Sequence, residues 1–228
     1  MADLTLAEEL LLVALDDEKG ADTANWGSGV EAGLAGALLL ELATAGCVAY
    51  EGGKVVPADC EPPADPLAAA ALDAIRADDK RRDAKAWIGR LPKALKPLRS
   101  RVALRLVERG TLEERRIRRL GLFEATRYPE RDPEPERRLR AAVIEVLVTG
   151  REPTPREAML IALLNAYDLV KRVVPRDDRR AAGKRAKQIA EGDVIGDAVA
   201  RTLRDVQAAT IAAVTAATSA AVISSGSS

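Results

Sequence analysis

Lys93, Lys96, Arg99, Arg101 and Arg105 crowd five cations into one short stretch of the chain. Lys96 and Arg99 stand three residues apart, so on a helix their side chains are neighbours. Such a pair grips a phosphate, arginine through its planar fork and lysine as a point charge. The plain alternative is a solvated basic face paired with acids of the N-terminal part. A second basic run, RRIRRLGLF, covers Arg115–Phe123. In it Arg115, Arg116, Arg118 and Arg119 flank Ile117, Leu120, Leu122 and Phe123. That mixture suits an element that seats apolar side chains in a membrane interface and keeps its cations at the headgroups. Each such cation contributes ~1 kcal/mol near an anionic leaflet. A hairpin packed on its own domain, or the wing of a nucleic-acid reader, carries the same pattern. Trp26 lies in a loop of Gly, Asn and Ser, where its ring either caps the core or lines a ligand rim or membrane interface.

Residues for catalysis are scarce. The chain has no histidine, which excludes Ser–His–Asp and Cys–His nucleophiles and His-ligated metals. Two cysteines, Cys47 and Cys60, are too few for a Cys-rich zinc site. With no disulfide framework in view, they imply a reducing, cytoplasmic setting. Glu8-Glu9 and Asp16-Asp17 read as solvated helix caps. The Gly-Xaa-Gly at Gly27–Gly29 follows no parallel strand, and no Gly-Lys-Ser/Thr occurs. A binding protein is expected, not an enzyme, with no cofactor and no metal.

These groups must be positioned by a largely helical scaffold. Hydrophobic residues make up 47% and charged residues 31% of the 228, which places the chain among globular proteins. Aromatics, at 3%, are too few for a typical sandwich or barrel, and abundant alanine favours helix. The net charge is zero but segmented. Residues 1–80 carry 16 acids against 4 bases, and residues 81–131 carry 16 bases against 6 acids. That asymmetry implies a basic face for an anionic partner, a membrane surface or a nucleic acid.

The patterning predicts helices over Thr5–Leu15, with a Thr5/Glu8 capping box, and over Val30–Ala45, closed by Gly46. A hairpin follows across Gly52-Gly53, so residues 1–57 resemble part of a winged-helix unit. Further helices are expected at Leu67–Arg76, Lys85–Leu91, Leu98–Arg109, Glu136–Val148, Thr154–Val173, Arg179–Glu191 and Ile195–Ala221. A second hairpin is expected within Thr111–Tyr128, tip near Arg118–Gly121, against a competing helix over Leu112–Arg119. The uncharged Val206–Ile223 has spanning length, yet its Ala, Thr and Val content reads as a buried amphipathic helix. Met1–Gly20 lacks the basic region of a targeting signal. The expected fold class is mainly α: a helical bundle in a single domain over 1–223, with one or two short β-hairpins, one protruding, and a disordered tail at 224–228.

In order along the chain, LTLAEELLLVALDDEKG at Leu4–Gly20, Trp26, GLAGALLLELATAG at Gly33–Gly46, LRSRVALRLVERGTL at Leu98–Leu112, GLFEATRYP at Gly121–Pro129, ALLNAYDLVKRVVP at Ala162–Pro175 and RAKQIAEGD at Arg185–Asp193 resemble the Golgi phosphoprotein 3-like family, above all its actinobacterial-type members. The resemblance implies a helical domain with a β-hairpin protruding on the membrane side. Eukaryotic relatives bind phosphatidylinositol 4-phosphate peripherally, and also the cytosolic tails of glycosyltransferases. Their headgroup pocket uses a loop tryptophan, matched by Trp26, and two bases three apart, matched by Lys96 and Arg99. It also uses an arginine in a Gly-Leu-Arg-Gly context, which here reads Gly33-Leu34-Ala35-Gly36. Ala35 thus removes a charge-assisted hydrogen bond, typically ~1.5–3 kcal/mol, and Arg101 or Arg105 is the candidate substitute.

The expected headgroup site is therefore Trp26, Lys96, Arg99 and Arg101, and the expected membrane-contacting element is Arg115–Phe123. Expected partners are anionic, phosphoinositide-like phospholipids at the inner face of the membrane, tails of membrane enzymes, and further copies of the chain through the basic hairpin. The alternatives are a nucleic-acid-binding protein, disfavoured by the acidic winged-helix-like unit, and a protein adaptor that needs no lipid.

Overall fold

Thr5 starts the first helix. Its hydroxyl accepts from Glu8 N (3.2 Å) and the Glu8 carboxylate accepts from Thr5 N (2.7 Å), the reciprocal cap its sequence predicts. The structure is a computed structural model that describes residues 4–15, 29–119 and 123–191. Within it, α1 (Leu6–Ala14) and α2 (Val30–Thr44) lie side by side at the centre. Both are apolar on nearly every face, as central helices must be. Leu6, Leu10, Leu11, Leu34, Leu38 and Leu39 are all at most 1% exposed.

Gly46, at φ +70°, ends α2 and turns the chain into β1 (Val48–Glu51) and β2 (Lys54–Pro57). Gly52 and Gly53, both at positive φ, form the two-residue hairpin turn. Then come α3 (Pro66–Arg76), α4 (Ala84–Ala94) and α5 (Leu98–Glu108). Each packs on α2, and α5 also on α1. Asp65 and Asp83 cap α3 and α4 through Ala68 N and Ala86 N, both at 2.8 Å. The fourth helix runs past its expected end because Pro92 is taken into its last turn.

The second hairpin forms as expected, and the competing helix does not. β3 (Arg115–Arg119) pairs antiparallel with β4 (Phe123–Arg127). Beyond it, α6 (Glu134–Ile144) continues into a π-helical turn at Glu145–Thr149. Gly150, at φ +86°, ends that turn by donating its N–H to Glu145 O.

The predicted helix over Thr154–Val173 is broken in two. α7 (Pro155–Ala166) carries the expected Thr154/Glu157 capping box, but Asp168 takes φ +55° and Leu169 N reaches back to Leu164 O (2.8 Å). The chain restarts as α8 (Val170–Val173) and, after Arg176–Asp178, as α9 (Arg179–Glu191) on α7. A short acidic side chain tolerates the left-handed region better than most, so no glycine marks the break. One hydrophobic cluster runs from Leu6 to Ala190. Among the described residues no helix is long and apolar enough to cross a membrane. The expected helix Ile195–Ala221 and the Val206–Ile223 stretch lie outside them.

The two cysteines, whose pairing the sequence leaves open, meet. Cys47 and Cys60 form a disulfide, Cα atoms 5.1 Å apart and 13 residues apart in sequence. The hairpin between them returns the chain on itself, and Ala58 N donates to Cys47 O (2.9 Å), which delivers Cys60 to its partner.

Candidate functional site

Leu95 and Leu98 are buried on either side of the α4–α5 junction, which leaves Lys96 exposed between them. Val102, Ala103 and Leu106 face α5 inward and fix its rotation. Arg99 then lies over the ring of Tyr128, its guanidinium carbon 5.7 Å from the ring centroid. Tyr128 is itself buried and directly follows β4. The base of that hairpin is closed by the Leu112–Glu130 bridge, by Glu113 N on Pro129 O (3.0 Å) and by Arg131 N on Thr111 O (2.9 Å). The start of α5 and the base of β3–β4 therefore meet at Tyr128, beside Arg127 in the chain, whereas Lys96 lies in the α4–α5 junction, outside the helix that carries Arg99, and is not its neighbour on one helix as the spacing predicts.

The hairpin register sets Arg115 directly opposite Arg127. Like charges facing across a ladder repel, and here Glu113 offsets part of that by pairing with Arg115. Arg116 and Ile117 are exposed, Ile117 being one of few large apolar side chains so open to solvent among the described residues. Trp26, Leu120 and Leu122 lie outside the described residues, as do the side chains of Arg118, Arg119 and Phe123.

Arg101, Arg105 and Arg109 have partners of their own. Arg101 Nη1 donates to Leu95 O (3.3 Å), so it closes the end of α4. Arg105 pairs with Glu8 (3.3 Å) and Asp65 (2.6 Å), and Arg109 with Glu8 (3.1 Å). Ala35 is fully buried in α2, with no polar group of its own to offer.

Glu8 is no solvated cap: it is completely buried. Around it the N-terminal end of α1 gathers Glu9, Glu41 and Asp65 against Arg105, Arg109 and Arg156. Glu41, from α2, accepts the Leu6 N–H on Oε1 (2.7 Å), while its other oxygen, buried, has no hydrogen-bond partner among the described residues. Burial lifts the Glu41 carboxyl to about 7, with Asp65 and Glu9 adding to the rise and the Leu6 N–H and Arg156 opposing it. The cluster locks α1 to α2, α3, α5 and α7. Sequence reasoning missed both its burial and Tyr128. Spacing alone does not reveal either, although Tyr128 falls in a segment quoted for the family resemblance.

Elsewhere Asp78 holds Arg82 (2.8 Å) and Arg90 (3.1 Å) beside a cavity of about 410 Å³, and these contacts keep its carboxyl below the usual range. Residues 6–206, most of the chain, match the family model described as Golgi phosphoprotein 3 (GPP34).

Proposed function

Since the chain belongs to the Golgi phosphoprotein 3 family, we propose that it is a peripheral membrane protein that binds anionic phospholipid headgroups. The observation that carries the reading is the Arg99–Tyr128 contact, which joins the start of α5 to the base of the arginine-rich hairpin. Lys96 and Arg99 supply the headgroup contacts. Arg115, Arg116 and Ile117 set cations and an apolar side chain against the interface. The repulsion between Arg115 and Arg127 is relieved when anions gather there. Trp26 completes the headgroup contact in this reading, and Arg101 is left out of it because it serves the end of α4. The activity is binding, with tails of membrane enzymes and further copies of the chain as additional partners of the same face.

Co-sedimentation with vesicles tests this. Neutral phosphatidylcholine vesicles are compared with ones containing phosphatidylinositol, its 4-phosphate, cardiolipin or phosphatidylglycerol. Wild type is expected on the anionic vesicles alone. Lys96→Glu with Arg99→Glu is expected to weaken that binding by about thirtyfold or more, since two surface cations are worth about 2 kcal/mol. Unchanged binding by the double variant removes the site assignment. Absence of wild type from every vesicle removes the lipid reading in favour of a protein adaptor. Preference for the 4-phosphate identifies a headgroup pocket that works with Ala35, and equal binding to all anionic lipids identifies steering by charge.

A further inference from the structure

Cys47 and Cys60 share a bond but not an environment. Cys47 is fully buried, its Sγ 3.8 Å from Ala45 O and 3.7 Å from Glu61 O. Cys60 is only partly buried and sits on the segment from Pro57 to Asp65. Arg76 Nη2 reaches across from α3, 4.0 Å from Cys60 Sγ and 3.3 Å from Ala58 O. A guanidinium beside a sulfur favours its thiolate, and a partly exposed sulfur is open to attack, whereas a buried one is inert. We propose that Cys60 is a thiol–disulfide exchange site, at which a low-molecular-weight thiol opens the Cys47–Cys60 bond and a low-molecular-weight disulfide closes it.

The chemistry balances with that partner alone. An incoming thiolate attacks Cys60 Sγ and forms a mixed disulfide, while Cys47 leaves and takes a proton. As a thiol, Cys47 has the carbonyls of Ala45 and Glu61 within reach as acceptors. A second thiolate attacks the outer sulfur of the mixed disulfide. The small disulfide departs, the protein has gained two electrons, and Cys60 is released as a thiolate facing Arg76. The reverse sequence restores the bond.

Opening the bond unties one end of the segment that leads to Asp65. That residue caps α3 through Ala68 N and pairs with Arg105, which in turn holds the buried Glu8. The redox state of Cys60 is thereby connected to the anchoring of α1. Nothing in this inference depends on lipid binding.

The test uses the full chain. Purified without reductant, it is expected to show no free thiol. After reduction and removal of the reductant, iodoacetamide is expected to modify Cys60 at least about tenfold faster than Cys47 in the folded protein, as read by peptide mass spectrometry. With oxidised glutathione, Cys47→Ser is expected to accumulate the mixed disulfide on Cys60, and Cys60→Ser to stay unmodified at Cys47 until denatured. Arg76→Gln is expected to move the pH profile of Cys60 alkylation upward, a shift that a purely structural arginine would not cause. Free thiols in the unreduced protein, equal alkylation of the two cysteines, or an unmoved profile in the arginine variant would each overturn the assignment.

Discussion

Glu41 ties the start of one helix to another. Its carboxyl caps α1 from a different helix, and a proton is held there up to about pH 7. An unfolded Glu41 releases that proton near 4.5. The folded state therefore binds it more tightly, and the associated stability is complete below about 4.5 and lost as pH rises towards 7. The difference is on the order of 3 kcal/mol. Glu41→Gln keeps an acceptor for Leu6 N and removes the titration, so the variant is expected to exceed wild type in Tm above pH 7 and to converge with it in acid. Thermal melts of both across that range decide it, and parallel curves would show that Glu41 holds no such proton. Glu157, held below the usual range by Arg151, acts with the opposite sign at lower pH and is common to both proteins. At this scale the sequence was legible where the partners are local. Thr5 with Glu8 and Thr154 with Glu157 announce themselves by spacing. The burial of Glu8 was not legible, because Arg105 and Arg109 lie about a hundred residues away. The disulfide was not legible because a hairpin and a turn must form before the two cysteines, 13 residues apart, can meet.

Elements add constraints that no single residue carries. Where α2 passes α7, a Cβ built on Gly33 would stand 3.0 Å from the Tyr167 ring and 3.2 Å from Leu10 Cδ2. Gly33→Ala is thus expected to cost about 1–3 kcal/mol through overpacking. Gly89, exposed within α4, has nothing within 4 Å of the same position, and Gly89→Ala is expected to gain about 0.5–1 kcal/mol. Denaturant midpoints of the pair measure the contrast, and equal shifts would mean that α2 and α7 are less closely packed. Helix, helix and hairpin were readable in order from residue 5 to residue 57, because apolar spacing and Gly-Gly turns are local signals. The break at Asp168 was not, because the sequence from Ala162 to Pro175 carries helical patterning straight through it. The extension of α6 by a π-helical turn likewise has no signature beyond Gly150.

Across the whole molecule, charge was the most legible property and its disposition the least. The basic block of residues 81–131 divides in three dimensions. Arg101, Arg105 and Arg109 turn to a backbone carbonyl and to acids, while Arg99 lies over Tyr128 at the base of the hairpin and Lys96 is exposed at the α4–α5 junction. A surface that binds through exposed cations is sensitive to salt, since the Debye length falls from about 10 Å at 0.1 M to about 3 Å at 1 M. Vesicle binding is expected to fall steeply over that interval, and salt-independent sedimentation would rule out an electrostatic origin. The arrangement around α1 has a consequence in time. Its first turn is held by Glu41, 35 residues on, and by Arg156, which donates to Leu4 O. Its last turn is held by Arg172, which donates to Val13 O and Leu15 O from more than 150 residues away. Contacts so distant in sequence form slowly, because the intervening chain must be ordered first. A nascent chain halted before Arg156 can therefore hold α1 at its start, through Glu41, Arg105 and Arg109, while its far end still awaits Arg172.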